Sequence, residues 1–174
     1  MTDKTQILKT FDNTRLMDVI KNYRQYDYDE ETRQSALAIL QERGISVEDL
    51  KLTGNFENQQ FNEAEACYRS FFKNSLIALV FYISILVISS LISAITFESL
   101  LTFSITIILS LLSILLYMMF LIRSFLDHNR LYKLIGNEYK TCSVTIYYLL
   151  GVPLYLIFYF VFKKQMYDEM KQIR

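Results

Sequence analysis

One stretch of this sequence, Ser75–Ile122, contains 48 residues without a Lys, Arg, Asp, His or Pro, and its only charged residue is Glu98. A helix needs about 20 apolar residues to cross the hydrocarbon core of a bilayer, so the stretch is long enough for two crossings. It predicts spans at about 75–95 and 100–122, joined by a very tight helical hairpin. The chain is therefore expected to be an all-α integral membrane protein.

A third apolar run, Val144–Phe162, contains Gly151 and Pro153 near its centre. It is long enough for one crossing that is kinked at the proline. It also fits a re-entrant hairpin that turns at these two residues and returns both ends to one side, if protein covers the turn. The kinked crossing is the simpler arrangement because it needs no such cover. The tyrosines of this run are spaced to share one side: Tyr148, Tyr155 and Tyr159.

Between the second and third apolar runs lies a charged connector, Arg123–Lys140. Its apolar side chains can share one face of a helix, opposite its charged ones. This pattern predicts an interfacial helix that lies on the membrane surface and is broken near Gly136.

The first part of the chain, residues 1–57, predicts a small helical module, and residues 58–174 form the membrane domain. One amphipathic helix is expected over 14–24 with Asn13 as its N-cap. A second helix, capped by Asp27 or Asp29, should run to about Arg43.

Two further signals in the module concern how its helices end and begin. Gly44 is placed to end the second helix in the left-handed conformation, and Ile45 can supply the hydrophobic contact that follows it. Ser46 and Asp49 have the spacing of a capping box that opens a short third helix. Because these three helices can bury only about ten apolar side chains, we expect a marginal core that is supported by the membrane, by the next helix of the chain or by a partner chain.

Basic residues near spans stay in the cytoplasm, which indicates the orientation of the chain. Arg69 and Lys73 precede the first span, the 96–99 turn has no basic residue, and the connector has four. The N-terminal module should therefore be cytoplasmic. The basic C-terminal tail also favours the cytoplasm, although a full third crossing would place it outside.

Composition excludes most catalytic and nucleic-acid-binding classes. The 18 basic and 18 acidic residues cancel, there is no Trp, and no basic face alternates with aromatic residues, which argues against nucleic-acid binding. Four glycines form no phosphate-binding loop motif, and one histidine with two distant cysteines cannot form a multi-histidine metal site or a catalytic triad. We expect no enzyme activity, no cofactor and no metal.

Hydroxyl side chains form a stripe on the predicted second span: Thr102, Thr106, Ser110 and Ser113. Small hydroxyl residues allow helices to approach closely and to form hydrogen bonds across the interface, so helix packing is the first interpretation. The alternative is a homo-oligomeric pore or transport pathway lined by this hydroxyl stripe, with Glu98 at its outer mouth.

The connector begins with a polar cluster, Asp127-His128-Asn129-Arg130. A solvated polar face is its first interpretation. As an alternative, His128 and Arg130 could contact lipid head groups, with Arg130 as the partner of a phosphate and His128 as an acid or base. That alternative would make the protein a lipid-acting membrane enzyme.

Two segments resemble parts of known small proteins. The segment Glu31–Ser46, with Ala36-Leu37-Ala38-Ile39-Leu40 before Glu42-Arg43-Gly44-Ile45-Ser46, resembles a helical module at the N-terminus of uncharacterised small membrane proteins, chiefly of Bacteroidota. The run Gly151-Val152-Pro153-Leu154-Tyr155 is similar to the last hydrophobic segment of some such proteins. The resemblance covers about a third of the chain. It implies a bacterial inner-membrane protein with a cytoplasmic helical module, and it brings no activity or catalytic residue.

Taken together, these features predict a non-enzymatic membrane adaptor or accessory subunit. The apolar helices would anchor it in the bilayer, and residues 1–52 would engage a protein partner or a second copy of the chain. Self-association through the spans is also expected, because small hydroxyl residues favour contacts between helices.

Overall fold

The computed structural model describes residues 2–94, 100–136, 145, 148 and 152–173, and every regular element among them is helical. These elements are α1 (Thr2–Lys9), α2 (Asn13–Asn22), α3 (Glu30–Glu42), α4 (Val47–Leu52), α5 (Gln59–Ala94), α6 (Leu100–Ile135), a 3₁₀ helix (Val152–Leu154) and α7 (Tyr155–Lys171). The chain divides into two compact units, Met1–Asn62 and Glu63–Arg174, which are called the N-terminal unit and the helical unit below.

Helices α2, α3 and α4 begin at side chains that accept hydrogen bonds from free backbone N–H groups. The cap of α2 is Asp12, which accepts from Arg15 N at 2.8 Å, and the predicted cap Asn13 is instead the first helical residue. Asp29 rather than Asp27 caps α3. The predicted capping box of Ser46 and Asp49 is confirmed at the start of α4.

The predicted end of α3 is also confirmed. Gly44 has φ +85°, its N–H donates to Gln41 O at 3.0 Å, and Ile45 N donates to Leu40 O at 3.0 Å. These two bonds define a Schellman motif, in which the left-handed residue lets the chain leave the helix while its last carbonyls stay bonded.

Helix α1 lies in a charged N-terminal segment that has no clear helical pattern and was not predicted to be a helix. Its Leu8 joins a core of nine buried apolar side chains: Leu8, Leu16, Val19, Ile20, Ala36, Leu37, Ile39, Leu40 and Leu50. The Arg43 guanidinium donates to Lys9 O at 3.0 Å and to Phe11 O at 2.8 Å. These carbonyls lie at, and just after, the C-terminal end of α1. A long-range side-chain contact therefore secures this helix.

A second arginine, Arg33, joins three segments of the N-terminal unit. The Arg33 guanidinium lies between the rings of Tyr23 and Phe56, at 4.8 and 4.5 Å from their centroids. It also donates to Phe56 O at 3.2 Å and to the Glu30 carboxylate at 3.2 Å. This one side chain ties α3 to the segments that follow α2 and precede α5.

Helices α5 and α6 have 36 residues each, and within the described residues they are the two helices long and apolar enough to cross a membrane. Only 17% of the most apolar window of α5 and 11% of that of α6 is buried. The predicted spans 75–95 and 100–122 fall on these helices, except for residue 95. That residue, the predicted turn 96–99 and Glu98 lie outside the described residues.

The prediction of a separate interfacial helix in the connector is wrong for the described part of that segment. Residues 123–135 continue α6, which ends at Ile135. Gly136 follows with φ +72° and donates to Lys133 O at 3.1 Å, so the predicted break at this glycine is present. The helix continues because no Gly or Pro interrupts it and because one face stays buried through Ser124 and Leu131.

The chain reverses direction within the third apolar run. The rings of Tyr148 and Phe162 are stacked with centroids 4.8 Å apart, whereas 14 residues of one helix would separate them by about 21 Å. At the turn, Pro153 O accepts a hydrogen bond from Tyr82 OH at 2.6 Å. At the other end of α7, Lys163 Nζ lies 4.6 Å from the centroid of the Phe72 ring. Helix α7 therefore runs antiparallel to α5, and one continuous helix over 144–162 does not fit this geometry.

Replacing Gly44 by Ala should lower the free energy of unfolding of the N-terminal unit by about 1 kcal/mol, because an L side chain in the left-handed region is strained. The space around the added methyl is open, so the cost is conformational. Hydrogen exchange of backbone amides in the full-length protein measures it. Gly44→Asn should cost less, since Asn tolerates this conformation better. Unchanged or greater protection in Gly44→Ala would contradict the motif.

Candidate functional site

The most unusual side chain of the helical unit is His128, which is fully buried on α6. Four aromatic rings surround its imidazole, with centroids between 5.0 and 6.0 Å away: Phe71, Tyr132, Tyr148 and Phe162. They come from α5, from α6 itself, from the described part of the third apolar run and from α7. We call these four rings and the imidazole the histidine cluster. It joins α5, α6 and α7.

Helical spacing explains why the imidazole is inside. Buried residues recur on α6 every three or four positions, at Tyr117, Leu121, Ser124, His128 and Leu131. Such spacing keeps side chains on one face of a helix. His128 therefore continues the face that packs against α5 and α7, although its immediate sequence neighbours are polar or charged.

Neither ring nitrogen of His128 has a hydrogen-bond partner within the part of the chain that the structure describes. Leaving a polar group buried without a partner costs about 1–3 kcal/mol. Burial also lowers the pKa of His128 to about 4, because the imidazolium would lose its hydration. The side chain is therefore neutral at pH 7, and a Phe of similar shape would avoid both costs.

Hydrogen bonds next to the histidine cluster connect the same helices. Ser124 and Tyr148 share a hydrogen bond between their hydroxyl oxygens at 3.1 Å. Gln165 Nε2 donates to Tyr132 OH at 2.6 Å, and Tyr155 OH donates to Ser75 O at 3.3 Å. The arrangement holds α7 and Tyr148 against α5 and α6 through several directional contacts.

The polar cluster 127–130, interpreted from the sequence as a solvated face or alternatively as a head-group contact, has side chains in different surroundings. Asp127 turns toward α5, where its carboxylate accepts from Ser70 Oγ and Asn74 Nδ2, both at 2.8 Å. Arg130 is exposed, so a head-group contact at this residue stays a prediction. His128, in contrast, offers no exposed surface to a head group in this conformation.

The predicted hydroxyl stripe lies partly inside the helical unit. Thr102 is exposed, whereas Thr106, Ser110 and Ser113 are half-buried. Thr106 Oγ1 donates to Thr102 O at 2.9 Å, and Ser113 Oγ donates to Leu109 O at 2.8 Å. The hydroxyls of Thr106 and Ser113 thus bond to the backbone of their own helix.

The two residues predicted to kink or turn the third apolar run differ in what the structure describes. Pro153 lies in the 3₁₀ helix before α7. Gly151 lies outside the described residues. The three tyrosines predicted to share one side of the run are all buried: Tyr148, Tyr155 and Tyr159.

A second candidate surface, which the sequence did not reveal, lies on the N-terminal unit. Tyr26 and Tyr28 are 45% and 44% exposed, and their rings pack edge to face with centroids 5.9 Å apart. Tyr26 OH donates to the Asp18 carboxylate at 2.9 Å, which fixes its ring. Asp27 between them has φ +55°, and Tyr28 N donates to Tyr23 O at 2.8 Å. We call these two residues the tyrosine pair. The left-handed residue of this turn is Asp27 rather than the usual Gly, so the sequence pattern of a glycine-ended helix does not reveal the turn.

Comparisons with protein-family models, curated proteins and solved structures find no match to this chain. The fold alone therefore defines the class: an all-helical protein with two helices long and apolar enough to cross a membrane. Among the described residues, no group of three or more His, Cys, Asp or Glu could hold a metal ion.

The buried imidazole predicts a loss of stability in acid. Because the pKa of His128 is about 4 in the folded state and about 6.5 in the unfolded chain, the unfolded chain binds the proton first as the pH falls. Between pH 7 and pH 4.5 the protein should lose about 2–3 kcal/mol through this residue. Thermal unfolding of the purified protein over this pH range measures the loss.

His128→Phe isolates this contribution, since carboxylates titrate in the same range. The variant should be at least as stable as wild type at pH 7, and its advantage should grow steadily as the pH falls to 4.5. A constant stability difference between the two proteins from pH 7 to pH 4.5 would show that the imidazole is not buried and neutral as described.

Proposed function

We propose that this protein is a non-enzymatic membrane adaptor or accessory subunit. Its N-terminal unit would bind a protein partner, and α5 and α6 would anchor that unit in a bilayer. The observation that carries the proposal is the difference between the two units. The N-terminal unit closes a core of its own, whereas α5 and α6 leave most of their apolar surface uncovered.

Support for the bilayer comes from side chains that a water-soluble protein would not leave exposed. Several large apolar residues on α6 are more than half exposed: Leu101, Ile108, Leu111 and Leu115. Large contiguous apolar surfaces mark interaction with a membrane or with another protein. Together with the resemblance to Bacteroidota proteins, this surface favours the bacterial inner membrane.

Both ends of the helical unit belong on one side of that bilayer in this proposal. Basic residues favour the cytoplasm for the segment before α5. Lys163 is level with Phe72, near the start of the apolar part of α5, and Pro153 is level with Tyr82, ten residues after Phe72. The third apolar run would then be a re-entrant hairpin whose turn is covered by protein, which is the condition for such a segment.

The partner surface we propose is the tyrosine pair. Tyrosines are enriched among residues that dominate binding energy, because they bury a large area with few rotatable bonds. Tyr26 is already held by Asp18, so little further ordering is needed on binding. The partner is a second protein chain, and a second copy of this chain is the alternative occupant.

The two other functions considered from the sequence have less support. A pore would need hydroxyls that face water, whereas those of Thr106 and Ser113 bond to their own helix. A lipid-acting enzyme would need His128 within reach of substrate, and its imidazole is enclosed by aromatic rings.

A photo-crosslinking amino acid at position 28 of the full-length protein, in native membranes, should capture one defined protein. Adding Tyr26→Ser should reduce capture about tenfold or more, because loss of one aromatic hot spot costs at least 2 kcal/mol. Glu48 is an exposed residue of α4, so Glu48→Ala is the matched control and should leave capture unchanged. No specific product, or equal capture with Tyr26→Ser, would count against the tyrosine pair as the binding surface.

The topology predicts that both termini face the cytoplasm. A reporter fused after Arg174 should be active only in its cytoplasmic form, and the same reporter before Met1 should agree with it. The geometry behind this expectation is the antiparallel course of α7 along α5. A C-terminal reporter that is active in the periplasm would overturn the re-entrant arrangement.

A further inference from the structure

We propose that the helical unit binds anionic phospholipid head groups through four cations, Lys73, Arg130, Lys163 and Lys164. We call these four residues the basic collar. The inference rests on the proposed membrane insertion and adds a lipid partner of defined charge. Sequence reasoning named Arg130 for a head-group contact, and the structure brings three lysines to the same level.

One contact, together with sequence adjacency on α5 and α7, places the lysines at one level along the helical unit. Lys163 Nζ lies 4.6 Å from the centroid of the Phe72 ring, and Lys73 is the next residue on α5. Lys164 follows Lys163 within α7. A lysine close to an aromatic ring at the edge of an apolar segment is the arrangement that anchors a helix at head-group depth.

Arg130 reaches nearly the same level from α6. The Asp127 carboxylate accepts hydrogen bonds from Ser70 and Asn74, which aligns Asp127 with that part of α5. Arg130 lies three residues further along α6, which adds about 4.5 Å. The cations of three helices therefore fall within roughly two helical turns of one another.

Two carboxylates near the collar are engaged by groups other than its cations. Asp127 accepts from Ser70 and Asn74, and Glu65 pairs with Arg69 at 2.6 Å. Lys73, Arg130 and Lys164 are exposed, and Lys163 is half-buried. Within the described part of the chain, none of the four forms an ion pair.

This chemistry fits a phosphate with net negative charge better than a zwitterionic head group. Cations spaced around a helical unit at head-group depth attract the anionic lipids of a leaflet, and each added cation strengthens the attraction. A choline head group would bring its own positive charge to the same lysines, which opposes binding.

The test measures lipid retention by the full-length protein in detergent, using native mass spectrometry with phosphatidylglycerol or phosphatidylcholine as the probe. Wild type should retain phosphatidylglycerol at least tenfold more strongly, and high salt should reduce the preference. The variant Lys73→Gln/Lys163→Gln/Lys164→Gln should lose it. The matched control Lys9→Gln/Lys21→Gln/Lys51→Gln removes the same charge from the N-terminal unit and should keep it.

Equal retention of both lipids by wild type, or an unchanged preference in the collar variant, would overturn the collar while leaving membrane insertion intact. The variant Lys73→Arg/Lys163→Arg/Lys164→Arg, which keeps the charge, should restore the preference and thereby exclude a general effect on folding. A protein that stays monodisperse in water without detergent would instead overturn the membrane proposal itself.

Discussion

Apolar surface on α5 and α6 has to be removed from water, and the chain itself covers little of it. Each square ångström of apolar surface left in water costs about 25 cal/mol, so two 36-residue helices that are less than one-fifth buried in their most apolar windows need another phase around them. In the arrangement proposed above, a bilayer would supply that phase. In such surroundings, the polar groups of the helical unit need hydrogen-bond partners within the protein.

Polar groups in the helical unit are mostly satisfied by neighbours inside it. Tyr82 donates to the carbonyl of Pro153, Tyr155 to that of Ser75, and Ser124 shares a bond with Tyr148. Each bond also joins two elements that are distant in sequence, so the same hydrogen bonds that satisfy polar atoms specify how the third apolar run folds back. Among the described residues of this unit, the ring nitrogens of His128 and the side-chain oxygen of Asn129 are buried without a partner. The enclosure of His128 by rings makes aromatic packing the main contribution of that side chain.

Sequence reasoning succeeded where the determining contacts are local. The capping box at Ser46 and the left-handed end at Gly44 each depend on residues within five positions, so their spacing is visible in the sequence. Helix α1 was missed because the contact that secures it comes from Arg43, more than thirty residues away. The reversal of the third run was not settled because it depends on Tyr148 meeting Phe162, which no local pattern encodes.

The candidate site shows the same division. The spacing of buried positions on α6 could have placed His128 on the inward face, but its neighbours Asp127 and Asn129 suggested a solvated segment. The rings that enclose His128 come from distant parts of the sequence, so only the tertiary structure identifies them. The tyrosine pair was missed because Asp27 adopts a conformation that usually signals glycine.

The two units carry opposite net charges, which fits the membrane adaptor proposed above. Residues 1–62 carry 8 basic and 11 acidic residues, whereas residues 63–174 carry 10 basic and 7 acidic residues. An anionic leaflet attracts the second set and repels the first. In the proposed arrangement, net repulsion would disfavour adsorption of the N-terminal unit to the lipid around the helical unit, and surfaces such as the tyrosine pair would stay accessible to a protein. The same acidic excess would favour a partner with a basic surface and speed the encounter with it.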